Sequence, residues 1–147
     1  MTESANKICV RRHFNELWNQ GEVEKIDEFF SPEFSNFGVK YSDVRAIIQH
    51  IICTWRDAFP DLLFQIDSLV EESDVVLCEV TLSGTHLGDF PLIPPLEGPT
   101  LAPNGRKFTA KHIHRFRLKD AKIVEHFAVR DDLAMFQQLG HLNAISS

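Results

Sequence analysis

Tyrosine is almost missing from this chain: one residue, against twelve phenylalanines in 147. Its aromatic bulk therefore comes nearly without hydroxyls, as suits a chain with apolar volume to fill or an apolar pocket to line. Cysteine is scarce as well. Cys9, Cys53 and Cys78 are odd in number and widely spaced. They read as buried reduced thiols, the first two in helical patterns and the third in a strand pattern. There is no basic run, and the net charge is -6, so nucleic acid is not an expected partner. No apolar run is long enough to span a bilayer and no secretory leader opens the chain, so the expectation is a cytoplasmic protein with no membrane partner. No internal repeat and no second domain are visible. What remains is ordinary for a globular protein, with 44% apolar and 24% charged residues. The length suits a single domain over residues 1–147 with a sizeable core.

Taken in order, residues 7–20 place Val10, Phe14, Leu17 and Trp18 at helical spacing, with Gly21 to close the helix. A shorter helix follows over about 22–30 and stops at Ser31-Pro32. Residues 34–39 read as a short strand. Ser42 is the expected N-cap of the strongest helix, in which Val44, Ile47, Ile48, Ile51, Ile52, Trp55 and Phe59 recur at steps of mostly three and four. So wide a stripe must be covered by something large, most simply a sheet. Strands are expected at 63–70 and 75–85, with a turn at 71–74. Residues 88–105 hold five of the seven prolines and read as a long loop, either a lid or disordered. Residues 132–140 close the chain as a helix. Helices first and an antiparallel meander after them mean an α+β fold, the sheet curled round the third helix to leave a conical cavity.

The stretch 107–129 concentrates the chemistry. As a strand, it puts Phe108, Ala110, His112, His114, Phe116 and Leu118 on one side, because side chains alternate with period two. Two imidazoles thus share an otherwise apolar face, and a second strand carries His126. With a two-residue loop at Asp120-Ala121, His114 would face Phe127. A three-residue loop, Lys119-Asp120-Ala121, pairs Leu118 with Lys122 and sets His114 opposite His126 and His112 opposite Ala128. The latter register is the expected one, since it keeps the apolar, ionisable face continuous. It requires a left-handed Ala121, at a cost of roughly 1 kcal/mol.

Four motifs in order carry a resemblance: Phe59-Pro60-Asp61-Leu62, Ser83-Gly84-Thr85-His86 with Gly88 after it, Lys122-Ile123-Val124-Glu125-His126, and Gln137-Gln138-Leu139-Gly140. From about Val10 to Gly140 the chain resembles the SnoaL-like polyketide cyclase family, within the nuclear transport factor 2-like fold. The resemblance implies a cone-shaped α+β barrel and an intramolecular aldol ring closure of a polyketide ester, with neither metal nor organic cofactor. By position, the family's asparagine falls near Asn36, its glutamine on His112, and its two histidines on His114 and His126. Its catalytic aspartate falls on Ala128, which cannot move a proton.

The expected catalytic set is therefore His112, His114 and His126, with Asp131 as a replacement carboxylate if it turns inward; capping the last helix is its simpler role. A ring closure or isomerisation needs one group to take a proton beside a carbonyl and another to donate to the enolate oxygen, and histidine can do either near neutral pH. Asn36, Phe37, Trp55, Phe116 and His86 are the expected substrate-binding residues, for a small hydrophobic or aromatic carbonyl ligand. The reading is a cofactor-free enzyme of lyase or isomerase type. Two rivals stand beside it: a hydrophobic-ligand binding module, favoured by Ala128, and a protein holding a metal on its three histidines. A homodimer through the outer sheet face is expected, as folds of this kind commonly pair there.

Overall fold

The computed structural model describes residues 2–94 and 96–144. Its sheet has six strands: β1 (Phe30–Asn36), β2 (Val39–Lys40), β3 (Leu63–Glu72), β4 (Val75–Thr85), β5 (Lys107–Lys119) and β6 (Lys122–Arg130), in the spatial order β2-β1-β6-β5-β4-β3. The sheet is curved and unclosed. The four long strands form the expected antiparallel meander. β1 adds a pairing that the sequence did not suggest, since it runs parallel to β6 with Asn36 beside His126.

The alternation read from β5 holds residue by residue. Phe108, Ala110, His112, His114, Phe116 and Leu118 are buried, while Lys107, Thr109, Lys111 and Ile113 are exposed. β4 matches it with Val76, Cys78, Val80 and Leu82 buried opposite. Against this face lies α3 (Val44–Ala58), which buries Val44, Ile48, Ile52, Trp55 and Ala58. Fully burying a Val or Ile side chain is worth about 1.5–3 kcal/mol, so the stripe is the main tie between helix and sheet. The cap of α3 is Asp43, not Ser42: its carboxylate accepts from the Ala46 amide.

The first helix, α1 (Ala5–Arg12), continues as wider π-helical turns over His13–Asn19. Two side chains fix its end. Asn19 donates to the carbonyl of Phe64 and accepts from the Phe64 amide on β3, at 3.0 and 2.7 Å. Arg56 of α3 donates to the carbonyls of Trp18 and Asn19. A one-turn helix, α2 (Ile26–Phe29), follows, and the chain enters β1 at Phe30, a few residues earlier than the periodicity implied. Phe37 and Gly38 are not strand residues: both have positive φ and form the turn between β1 and β2.

The hairpin between β5 and β6 corrects the expected register. Its turn is the two-residue one, Asp120-Ala121, with φ of 52° and 57°, as a primed hairpin turn requires. Lys119 pairs with Lys122 and Leu118 with Ile123. Continued straight, that ladder would face His114 with Phe127 and turn His126 outward. A bulge prevents it. Val124 has no partner, and beyond it Arg117 pairs with Glu125, Phe116 with His126, His114 with Ala128 and His112 with Arg130. His126 therefore lies diagonal to His114, one pair away from the opposite position expected, yet on the same face.

The proline-rich segment is strapped down. Phe90 and Leu101 bridge to each other, both are buried, and the Phe90 ring lies 4.9 Å from that of Trp55. Its first turn passes so close to α3 that a Cβ at Gly88 would sit 2.2 Å from the Asp57 carbonyl oxygen. Pro95 within it lies outside the described residues. The last helix, α4 (Asp132–Leu139), covers the edge of β5 beyond the end of β6, where the Gln138 side chain bonds the backbone of Thr109 on both sides. Cys9 and Cys78 are buried thiols as expected, and Cys53 is half-buried.

Candidate active site

Between the sheet and α3 a cavity of about 100 Å³ remains. β5 contributes His112, His114 and Phe116; β6 contributes His126, Ala128 and Arg130; β1 and its turn contribute Asn36 and Phe37. Trp55 comes from α3 and Phe64 from β3. His13, Phe14 and Trp18 project from the first helix and its π-helical extension. Among the described residues no Asp or Glu lines the cavity, and the one formally charged wall residue, Arg130, donates to Asp132 at 2.9 Å.

The three expected histidines are strung in a row. Nδ1 of His126 lies 2.7 Å from Oδ1 of Asn36. Nε2 of His126 lies 2.8 Å from Nδ1 of His114, and Nε2 of His114 lies 3.2 Å from Nδ1 of His112. The row ends at Nε2 of His112, which is buried without a partner among the described residues. Aromatic rings pack round it: Phe14 stands 5.3 Å from His114, edge to face, and Phe116 stacks on His114 at 6.0 Å. Phe37 flanks His126 at 5.8 Å.

This setting keeps the imidazoles neutral. Burial, helped by the positive charge of Arg130, pushes His112 down to about 4 against the partial pull of Asp131. Burial, with His13 and Arg130 nearby, takes His126 to about 3. His114 is lowered well below its ordinary value by burial first, then by the neighbouring rings. At pH 7 four such rings in an apolar wall are neutral, each with one N–H and one lone pair.

The fourth ring is His13, which sequence reading missed. Its Nδ1 faces the Val10 carbonyl at 3.3 Å, and burial lowers it to about 4. The signal was present, since His13 lies three residues after Val10 and four before Leu17 on the stripe that marked the helix. Arg130 was missed too, although it follows His126 and Ala128 on one strand face.

Two expected site residues stand elsewhere. Asp131 does not turn inward: its carboxylate caps α4 by accepting from the Ala134 amide. His86 is fully buried, but it packs on Phe59 at 5.2 Å and faces His141 at 3.2 Å, away from the cavity wall. Among the described residues no group of three or more His, Cys, Asp or Glu is arranged to hold a metal ion. The three imidazoles bond one another in sequence and do not converge on a point. Among the described residues, too, no helix is long and apolar enough to cross a membrane.

The model of a family described as SnoaL-like polyketide cyclase matches residues 8–139. The chain is 24% identical over 140 residues to aklanonic acid methyl ester cyclase AcmA of Streptomyces galilaeus, covering 92% of each chain. It is 26% identical over 135 residues to nogalonic acid methyl ester cyclase of Streptomyces nogalater, covering 84% of this chain and 89% of that one. Among solved structures, TsrD from Streptomyces laurentii superposes with a TM-score of 0.79 at 25% identity, over 97% of this chain and all (100%) of that one. IdmH from Streptomyces antibioticus superposes with a TM-score of 0.73 at 23% identity, over 92% and 98%.

Proposed function

The chain belongs to the SnoaL-like polyketide cyclase family, and from that premise we propose that it closes a ring in a small aromatic polyketide ester by acid–base chemistry in the cavity. The observation that carries this reading is the row of three hydrogen-bonded imidazoles set in an apolar wall without a carboxylate. Ring closure of the aldol type needs a base for a C–H beside a carbonyl and a donor for the oxygen that becomes negative. Neutral imidazoles offer a lone pair and an N–H apiece, so the lost aspartate does not leave the wall without a base. Phe37, Phe116 and Trp55 would hold the flat, apolar part of such a ligand. Arg130, the formally charged wall residue, would favour the electron-rich carbonyl end.

The relatives' substrates are the first to try. Aklanonic acid methyl ester and nogalonic acid methyl ester would each be incubated with the protein and with His112→Asn and His126→Asn variants. Ring closure keeps the mass and changes the chromatographic position. The expected outcome is conversion by the wild type and losses of about 10²–10⁴ in the variants, the usual weight of a general acid–base group. Equal turnover by wild type and both variants would refute the assignment.

Ala128 supports a second reading, in which the cavity only holds an apolar ligand. Native mass spectrometry separates the two: a co-purifying ligand that stays unchanged on incubation favours binding. We also propose a homodimer through the outer sheet face, where Leu77, Ile113, Phe127 and Val129 are exposed. A stable pair would bury about 800 Å² per partner, and light scattering would read its mass directly.

A further inference from the structure

The row of rings has a direction. An amide oxygen only accepts, so with Oδ1 of Asn36 at 2.7 Å, Nδ1 of His126 carries a hydrogen. A neutral imidazole has a single N–H, which leaves Nε2 of His126 a bare lone pair. Nδ1 of His114, 2.8 Å away, must then donate to it. The same step repeats once more, with Nδ1 of His112 donating to Nε2 of His114 at 3.2 Å. What is left over is Nε2 of His112: a lone pair with no partner among the described residues, on a residue of the cavity wall.

The orientation of one amide thus settles six ring nitrogens. Turned round, with its NH₂ toward His126, Asn36 would reverse every bond and leave an N–H at Nε2 of His112 without an acceptor. Orphaned buried N–H groups are a rarer defect than under-satisfied acceptors. Arg130, directly across the ladder from His112, adds a positive charge that favours a lone pair over a second donor at that end.

Resting on the reading that the cavity performs ring closure, we propose that Asn36 is a positioning residue: acting through His126 and His114, it makes Nε2 of His112 the proton-accepting atom, and the three rings hold the proton until it is returned. The step balances. The C–H electron pair stays on the substrate as an enolate while the proton joins Nε2 of His112. The Nδ1 hydrogen of His112 passes to Nε2 of His114, and that of His114 passes to Nε2 of His126. His126 then carries two hydrogens and the positive charge, with Oδ1 of Asn36 accepting from its Nδ1. The enolate carbon bonds to the second carbonyl carbon. The resulting alkoxide takes the hydrogen from Nε2 of His112 as the row runs back. The protein ends as it began, and neither oxidant nor reductant is needed.

Nitrogen NMR of histidine-labelled protein tests this without substrate, because bare and hydrogen-bearing ring nitrogens give distinct signals. In the wild type near pH 7 the expected pattern is a hydrogen on Nδ1 of all three rings and a bare Nε2 on His112. Asn36→Asp should keep that pattern, since carboxylate oxygens also only accept. Asn36→Ala should lose it, with mixed tautomers in all three rings. With a methyl ester that the wild type converts, Asn36→Ala should lower kcat by about 10- to 100-fold at little change in KM, as for partners that orient a ligand histidine, and Asn36→Asp should restore it. A hydrogen on Nε2 of His112 in the wild type would overturn the proposal, whatever the activity. So would unchanged tautomers in Asn36→Ala. The expected tautomers in a protein that converts no ester would instead overturn the cyclase reading and leave the tautomer assignment standing.

Discussion

Ala128 stands directly across the β5–β6 ladder from His114. Both line the cavity, so a carboxylate at position 128 would stand beside the histidine row.

Ala128→Asp tests how far a carboxylate at this position matters. A negative charge beside His114 favours the imidazolium, so its depressed pKa should move up toward the ordinary range, as histidine NMR would show. If turnover of the methyl esters depends on the aspartate that the family resemblance places here, the variant should outpace the wild type. If the imidazole row already supplies the base, turnover should stay level or fall.

Acid should unfold this protein early. In the unfolded chain histidine protonates near 6.5, while folded His13 and His112 are held down to about 4 and His126 to about 3. Between those values the unfolded state binds more protons, so stability rises with pH; it is fully present above about 6.5 and drains away as pH falls. For His112 alone the loss by pH 4 is on the order of 3 kcal/mol. Glu16, held down to about 2 beside Arg12 and Lys25, acts in the same direction but only below its ordinary 4.5. The slope from pH 6.5 to 4.5 therefore belongs to histidine. Urea midpoints at about pH 7, 5.5 and 4.5 would measure it, and a flat series would mean the rings are not sealed from water.

Ala121→Gly should stabilise the hairpin. Ala121 holds a φ of 57°, which costs a residue with a Cβ roughly 1 kcal/mol and glycine nothing. A rise in Tm of about 2–4 °C is expected for a chain of this length. Calorimetry reads it directly, and no rise would mean that the turn relaxes in solution.

Phe90→Ala should release the strapped loop. Its ring is buried against Trp55 and Phe59, at 4.9 and 5.2 Å, and such a truncation costs about 3–5 kcal/mol. Faster cleavage between residues 88 and 105 by a trace of protease, with the sheet intact by circular dichroism, is the expected result. Uniform loss of the whole fold would show that the strap and the core are one unit.

The pattern of β5 was legible because alternation survives any detail of pairing, so the shared face of His112 and His114 followed from period two alone. His126 was placed on the right face by a register that does not occur. The expected ladder and the observed one differ by two residues, and an even slip leaves the side unchanged. The shorter loop accounts for one residue of that difference and the bulge at Val124 for the other, and the bulge is invisible in a run of valine, isoleucine and glutamate that suits either pairing. The parallel contact of β1 with β6 was hidden too, because it joins residues 90 apart. That contact turns Asn36 from a substrate-facing candidate into the anchor of the histidine row. His13 escaped for a different reason: a polar residue on an apolar helical stripe reads as an interruption until the opposite wall is known to be imidazole.

The bulge separates two halves of one hairpin. Everything past Val124 takes its alignment from Glu125 and its neighbours, not from the loop at the far end. Extra residues spliced between Asp120 and Ala121 would lengthen an outward-facing tip and leave Asn36, His126 and His114 in step. That tip is therefore a convenient handle for a dye, a purification tag or a tether to a surface, set apart from the cavity.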